Sequence, residues 1–212
     1  MIGYTTYTGT KTTKDKIQGA GWRWLMTPDV LQRNGWNKPF WNDRSAAPYC
    51  LDNGAWGCHT KGLEFNIEAF KRALASVGDD ADWVVIPDIV AQGDKSLEFS
   101  LSWMDELASR FDLCLLPVQD GITPKQIKPY LNKGVGLFVG GSTEWKLSSL
   151  FEWGVLAQET GCYLHVARVN TVRRIKLCQH AGADSFDGTS PVRFPSTLKL
   201  LNNAIKQQYL WS

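Results

Sequence analysis

From residue 48 onward the chain alternates between two hydrophobic patterns. Short apolar runs (PYCLD, DWVVIPD, DLCLLPVQ, GVGLFVGG, CYLHVARV and ADSFDG) each end in polar or glycine-rich residues. Amphipathic segments follow over 66–77, 96–110, 124–132, 145–160, 171–181 and 196–208. Ile67, Phe70, Leu74 and Val77 recur at three and four in the first of these. Leu97, Leu101, Met104 and Leu107 do so in the second. That period predicts helices with one buried face. Thr123 and Thr171 are predicted N-caps, with Pro124 at the first helical position.

Strand–helix alternation of this length predicts a parallel sheet covered by helices. Apolar runs at 2–5 and 22–26 bring the number of strands to about eight, which is the count of a closed barrel. The expectation is an α/β fold: a compact (β/α)8 TIM-like barrel, with 1–212 as a single domain. The chain is shorter than the ~250 residues typical of that barrel. Residues 6–48 fit the repeat badly. They hold Trp22, Trp24, Trp36, Phe40 and Trp41 among many polar residues, and are expected to form an aromatic-rich insertion or lid near the N-terminus.

Composition narrows the function classes. A hydrophobic share of 43% and a charged share of 21% describe an ordinary globular chain. A net charge of +2 excludes binding to polyanions by bulk charge, so any nucleic-acid contact needs a local basic patch. Ten tryptophans leave some available to stack on a flat ligand. No apolar run is long enough for a membrane span, and the polar start MIGYTTYTGTKTTKDK is not a signal peptide. The five cysteines are odd in number and scattered, which predicts reduced thiols and a cytoplasmic setting. Cys58–His59 is the one adjacent pair of possible metal ligands. No second pair at finger-like spacing completes it, so no metal is expected.

The strand ends carry the candidate chemistry. Asp52 follows Tyr49-Cys50-Leu51, Asp88 follows Val84-Val85-Ile86-Pro87, and Gln119 follows Leu115-Leu116-Pro117-Val118. Gly140 and Gly141 follow Leu137-Phe138-Val139, and Asp187 follows Phe186. In a parallel barrel such ends converge on the face where active sites are built. Singly, each has an ordinary reading. An Asp after a strand caps a helix or shapes a turn. Gly140-Gly141-Ser142 makes a tight turn or cradles a phosphate, Gln119 serves backbone groups, and Trp56 belongs to a core. His59, His165 and His180 are read as structural or exposed, having no catalytic neighbour in sequence. Taken together, the five positions point to a polar pocket.

In order along the chain, DNGAW, PD, PVQDG, GLFVGGS and GADSFDGTSPVR resemble the motifs of tRNA-guanine transglycosylases and of their relatives that insert 7-deazaguanines into DNA. Gly182 and Asp184 match the start of the last motif, and Phe186-Asp187, Pro191 and Arg193 keep its spacing. The resemblance runs from residue 48 to 195. It implies that Asp187 is the nucleophile and Asp52 the general acid/base. It implies that Asp88 and Gln119 bind the purine edge with backbone groups of Gly140 and Gly141, and that Trp56 stacks on the base. These residue types suit base exchange. One carboxylate stabilises an oxocarbenium-like state and forms a glycosyl intermediate, and a second moves a proton. A carboxylate with the reference pKa of ~3.9 is ionised at neutral pH. The target base must also leave its stack.

Several positions depart from the family's pattern. Ile89 stands where a Glu follows the purine-binding Asp, Asp120-Gly121 replaces a Gly-Gly, and Ser142 replaces a common Leu. The Cys/Cys/Cys/His zinc site and the further domain of the tRNA-acting members have no counterpart in this sequence. The DNA-modifying branch, in a bacterium or a phage-infected cell, is therefore the expectation. Its partners would be DNA, a free 7-deazaguanine base and possible helper proteins, without a cofactor. Arg168, Arg173, Arg174, Arg193 and Lys146, with the segment 11–16, are candidates for the nucleic-acid backbone. Three alternatives stay open: tRNA as the polynucleotide, a phosphate-binding barrel of isomerase or aldolase type, and a non-catalytic nucleic-acid-binding module.

Overall fold

The computed structural model describes residues 1–8, 10–36, 48–77 and 80–207. Eight parallel strands close into a barrel in the order of the chain: β1 (Ile2–Thr6), β2 (Arg23–Met26), β3 (Tyr49–Leu51), β4 (Val84–Val85), β5 (Cys114–Val118), β6 (Val135–Val139), β7 (Leu164–Val166) and β8 (Ser185–Asp187). β8 pairs with β1, with Asp187 opposite Tyr4, and this closes the ring. The helices lie between and after the strands: α1 (Lys11–Gly19), α2 (Pro28–Arg33), α3 (Ala55–Thr60), α4 (Ile67–Ser76), α5 (Asp94–Ala108), α6 (Pro124–Ile127), α7 (Thr143–Thr160), α8 (Val172–His180), α9 (Ser190–Arg193) and α10 (Leu198–Lys206). The chain is thus an α/β protein with the (β/α)8 TIM-like architecture. Among the described residues, no helix is long and apolar enough to cross a membrane.

The pleat explains the packing. Alternate residues of a strand face opposite sides, so each strand supplies two cores. Tyr4, Leu25, Cys50, Trp83, Val85 and Leu115 fill the barrel interior. Trp24, Met26, Leu51, Val84, Ile86, Cys114, Leu116 and Val118 face outward and meet the helices. One step further along the inward rows come Thr6, Thr27, Asp52, Gln119, Gly140, Ala167 and Asp187, which line a cavity at the C-terminal mouth. The period of two that builds the core therefore also aims the polar strand ends into one space.

The N-terminal segment corrects an expectation. Residues 10–36 are not an insertion or lid but regular barrel repeat, supplying α1, β2 and α2. Trp22 and Trp24 are buried in the layer between strands and helices. Their polar surroundings are the solvent faces of two short helices, which masked the period. Phe40 and Trp41 lie outside the described residues. The helix expected over 124–132 is α6 continued by a 3-10 turn, Lys128–Tyr130, because Pro129 cannot extend the α-helical ladder.

Candidate functional site

The turn after β3 is built by side chains that bond their own backbone. Asp52 Oδ1 accepts the N–H of Gly54 at 2.8 Å, and Asn53 Oδ1 accepts that of Ala55 at 2.8 Å. Gly54 has φ 82°, a left-handed conformation that glycine adopts without a Cβ penalty. The turn presents Asp52 to the cavity and starts α3, whose second residue, Trp56, is exposed at the rim.

Asp88 is held from two sides. Asn53 Nδ2 donates to Oδ1 and Gln119 Nε2 to Oδ2, each at 2.8 Å. Gln119 also donates to Ser96 Oγ at 2.9 Å and accepts the N–H of Ala91. The buried Gln119 amide, expected at the purine edge, thus spends its hydrogen bonds on Asp88 and the turn after β4. Asp88 is the group it presents. Asn53, not singled out from the sequence, is the matching clamp. Its signal was its place beside Asp52 at a strand end.

Asp187 ends β8. The backbone N–H of Arg168 is shared between its two carboxylate oxygens at 3.2 Å each, and His165 Nε2 lies 3.1 Å from Oδ2. Arg168 has φ 58°, an uncommon conformation for a residue with a side chain. That turn aims its N–H at Asp187. The Arg168 guanidinium lies 4.0 Å from the centre of the Trp56 ring and donates to the carbonyl of Gly141. It is half-buried in the pocket wall and engaged by protein, which corrects its expected role as a cation reaching for the nucleic-acid backbone.

Lys146 is a second correction. It is 1% exposed, and its ammonium donates to the carbonyl of Ala167 behind the wall. Burial pushes its pKa down to about 8, with Arg168 adding repulsion. It cannot meet a phosphate. Arg193 is exposed and lines the cavity rim. Arg173 and Arg174 occupy the first turn of α8, which starts on the mouth side, and that turn holds no acidic residue. Cations at a helix N-terminus oppose its dipole, so an incoming anion would relieve them. In the segment 11–16, Lys11 pairs with Asp15 at 3.0 Å on the exposed face of α1. His165, read as structural or exposed, is the former, with a contact the reading did not foresee. It is fully buried yet touches Asp187, through a layer of the barrel that the sequence alone does not reveal.

The cavity holds about 450 Å3, with Asp52, Asp88 and Asp187 all on its wall. Burial raises the Asp52 pKa to about 7. The charges of Asp187 and Asp88 add to this, while the Gly54 N–H and Arg168 oppose it. Burial likewise raises Asp88 to about 6 against the pull of the Asn53 and Gln119 amides. The Gly140-Gly141-Ser142 turn is otherwise engaged. Gly140 N–H bonds Val118, while the Ser142 N–H and hydroxyl both bond Asp120, at 2.6 and 2.7 Å. Burial works to raise Asp120, but those bonds outweigh it and hold its carboxyl below the usual value. No group of three or more possible ligands for a metal ion occurs among the described residues.

Fold and site together define a TIM-like barrel with three carboxylates at one mouth. The chain matches no family model, and no curated protein matches it.

Proposed function

We propose that the protein exchanges guanine in DNA for a 7-deazaguanine base through a covalent glycosyl–Asp187 intermediate. What carries the reading is the convergence of Asp187, Asp52 and Asp88 on one cavity of about 450 Å3, a volume suited to a small planar ligand. Asp187 attacks C1′ of the deoxyribose. The C1′–O bond forms as the C1′–N9 bond breaks, and the electron pair leaves with guanine. Asp52 gives the departing base a proton. The incoming base then returns a proton to Asp52, attacks C1′ and frees Asp187.

Asp52 must act as acid in one half-reaction and base in the other. A pKa of about 7 leaves both forms populated near neutrality, which supports that dual role. Asp88, clamped by Asn53 and Gln119, faces the cavity as acceptor for the donors of a purine edge. Trp56 offers the stacking surface, and Arg173, Arg174 and Arg193 offer the phosphate contacts. The reading puts the enzyme in the cytoplasm of a bacterium or a phage-infected cell. tRNA in place of DNA would use the same chemistry.

The phosphate-barrel alternative loses support, because the N–H groups of Gly140 and Ser142 are already bonded to protein. The test is adduct trapping. Protein, guanine-containing DNA and a 7-deazaguanine base are mixed and resolved on a denaturing gel. A protein–DNA band that requires Asp187 and responds to added base is expected. DNA binding equal in wild type and Asp187→Ala, with no adduct, would leave only a binding module.

A further inference from the structure

His165 is a buried titratable group that the exchange chemistry leaves unused. It lies one layer below the cavity, two residues before the wall residue Ala167, and is fully buried. Phe138 stacks on the imidazole with centroids 5.1 Å apart and planes 14° apart, and Trp83 packs against it at 4.6 Å. Two rings thus restrain the imidazole. Nδ1 then sits 2.7 Å from Ser185 Oγ, and Nε2 sits 3.1 Å from Asp187 Oδ2.

We propose that His165 is a positioning residue for Asp187: its Nε2–H holds Oδ2, so that Oδ1 is the oxygen that attacks the sugar. The inference rests on the transglycosylase reading for the word "attacks", but the hydrogen-bond chain stands on the geometry. An ionised carboxylate only accepts hydrogen bonds, so Nε2 must carry the hydrogen. A neutral imidazole has one N–H, so Nδ1 is an acceptor and the Ser185 hydroxyl donates to it. Burial lowers the His165 pKa against the opposing pull of Asp187, which favours the neutral ring. Oδ2 therefore takes a full bond from His165 and a share of the Arg168 N–H. Oδ1 takes only the other share, at 3.2 Å, the long end of the range. The less encumbered oxygen keeps its lone pairs for C1′.

Two variants and one spectrum test this. His165→Met fills the space without a donor, whereas His165→Gln restores an N–H near the position of Nε2. Loss of the anchor frees the carboxylate to rotate, and misplacement by ~1 Å costs about a hundredfold. The expected result is a kcat about a hundredfold lower in His165→Met, with KM for the base within about twofold. His165→Gln should recover about tenfold of that loss. Thermal melting verifies that both variants fold, and base titration measures binding separately. Unchanged kcat in His165→Met, a parallel loss of base binding, or no recovery in folded His165→Gln would overturn the proposal. The 15N–1H pattern of His165 in the free protein needs no substrate. The Nε2–H tautomer is expected, and an Nδ1–H tautomer or an imidazolium would overturn the chain. If the unsubstituted protein exchanges no base, the transglycosylase reading fails, and the tautomer still decides the hydrogen-bond chain.

Discussion

At the scale of single residues, Asp52 links chemistry to stability. Its folded pKa is about 7 against ~3.9 for an unfolded Asp. A raised carboxyl pKa means that the folded state binds the extra proton between those values. Stability from this group is therefore full below about pH 4, falls as pH rises towards 7, and stays low above it. Asp52→Asn, which keeps an oxygen for the Gly54 N–H, should melt a few degrees higher than wild type at pH 8, at about 2–4 °C per kcal/mol. The gain should vanish near pH 4, and exchange should be lost at every pH. Equal shifts at both pH values would contradict the assignment. Arg168 makes a second residue-scale prediction. Its guanidinium covers the Trp56 face that a base would use, so base entry must displace a contact of about 0.5–2 kcal/mol. Arg168→Ala should tighten binding of the free base severalfold in a tryptophan-fluorescence titration. Weaker binding would mean that Arg168 itself holds the base. Asp52, Asp88 and Asp187 were legible because each closes an apolar run. His165 was not, since a histidine inside CYLHVARV reads as filler until the parallel pairing of β7 with β8 sets it beside Ser185 and Asp187.

At the scale of elements, packing leaves little slack where helix meets helix. A Cβ on Gly154 of α7 would stand 2.2 Å from the carbonyl oxygen of Ala181, just beyond α8. Gly154→Ala should cost about 1–3 kcal/mol of stability through overpacking. Folded at low temperature, the variant should keep its base affinity, because the clash is on the outer layer. An unchanged melting temperature would contradict the close approach. The helices were well read from their three-and-four spacing, with α7, α8 and α10 found to within about two residues. β4 was harder. DWVVIPD suggests a longer strand, but Pro87 lacks the N–H of a ladder residue, and the paired stretch is Val84–Val85. α1 was missed because KTTKDKIQG buries one residue, Ile17, and offers almost no apolar period, and α2 because its six residues are too few to repeat one.

At the scale of the whole molecule, the closed ring converts a one-dimensional pattern into a site. Carboxylates distant in the chain meet because alternate residues of every strand point to the same interior. The small net charge leaves steering to the few cations at the mouth. If Arg173, Arg174 and Arg193 each meet a phosphate, log affinity for DNA should fall with log salt at a slope of about −2 to −3. Replacing one of them should reduce the slope by about 1. A flat salt response would remove the polynucleotide from the account. The central claim is tested most directly by incubating the protein with guanine-containing DNA and 7-deazaguanine bases, digesting to nucleosides and identifying them by mass spectrometry. A 7-deazaguanine deoxynucleoside is expected with the unsubstituted protein, and at least about a thousandfold less with Asp187→Ala. No product, or product that persists without the Asp187 carboxylate, would contradict it.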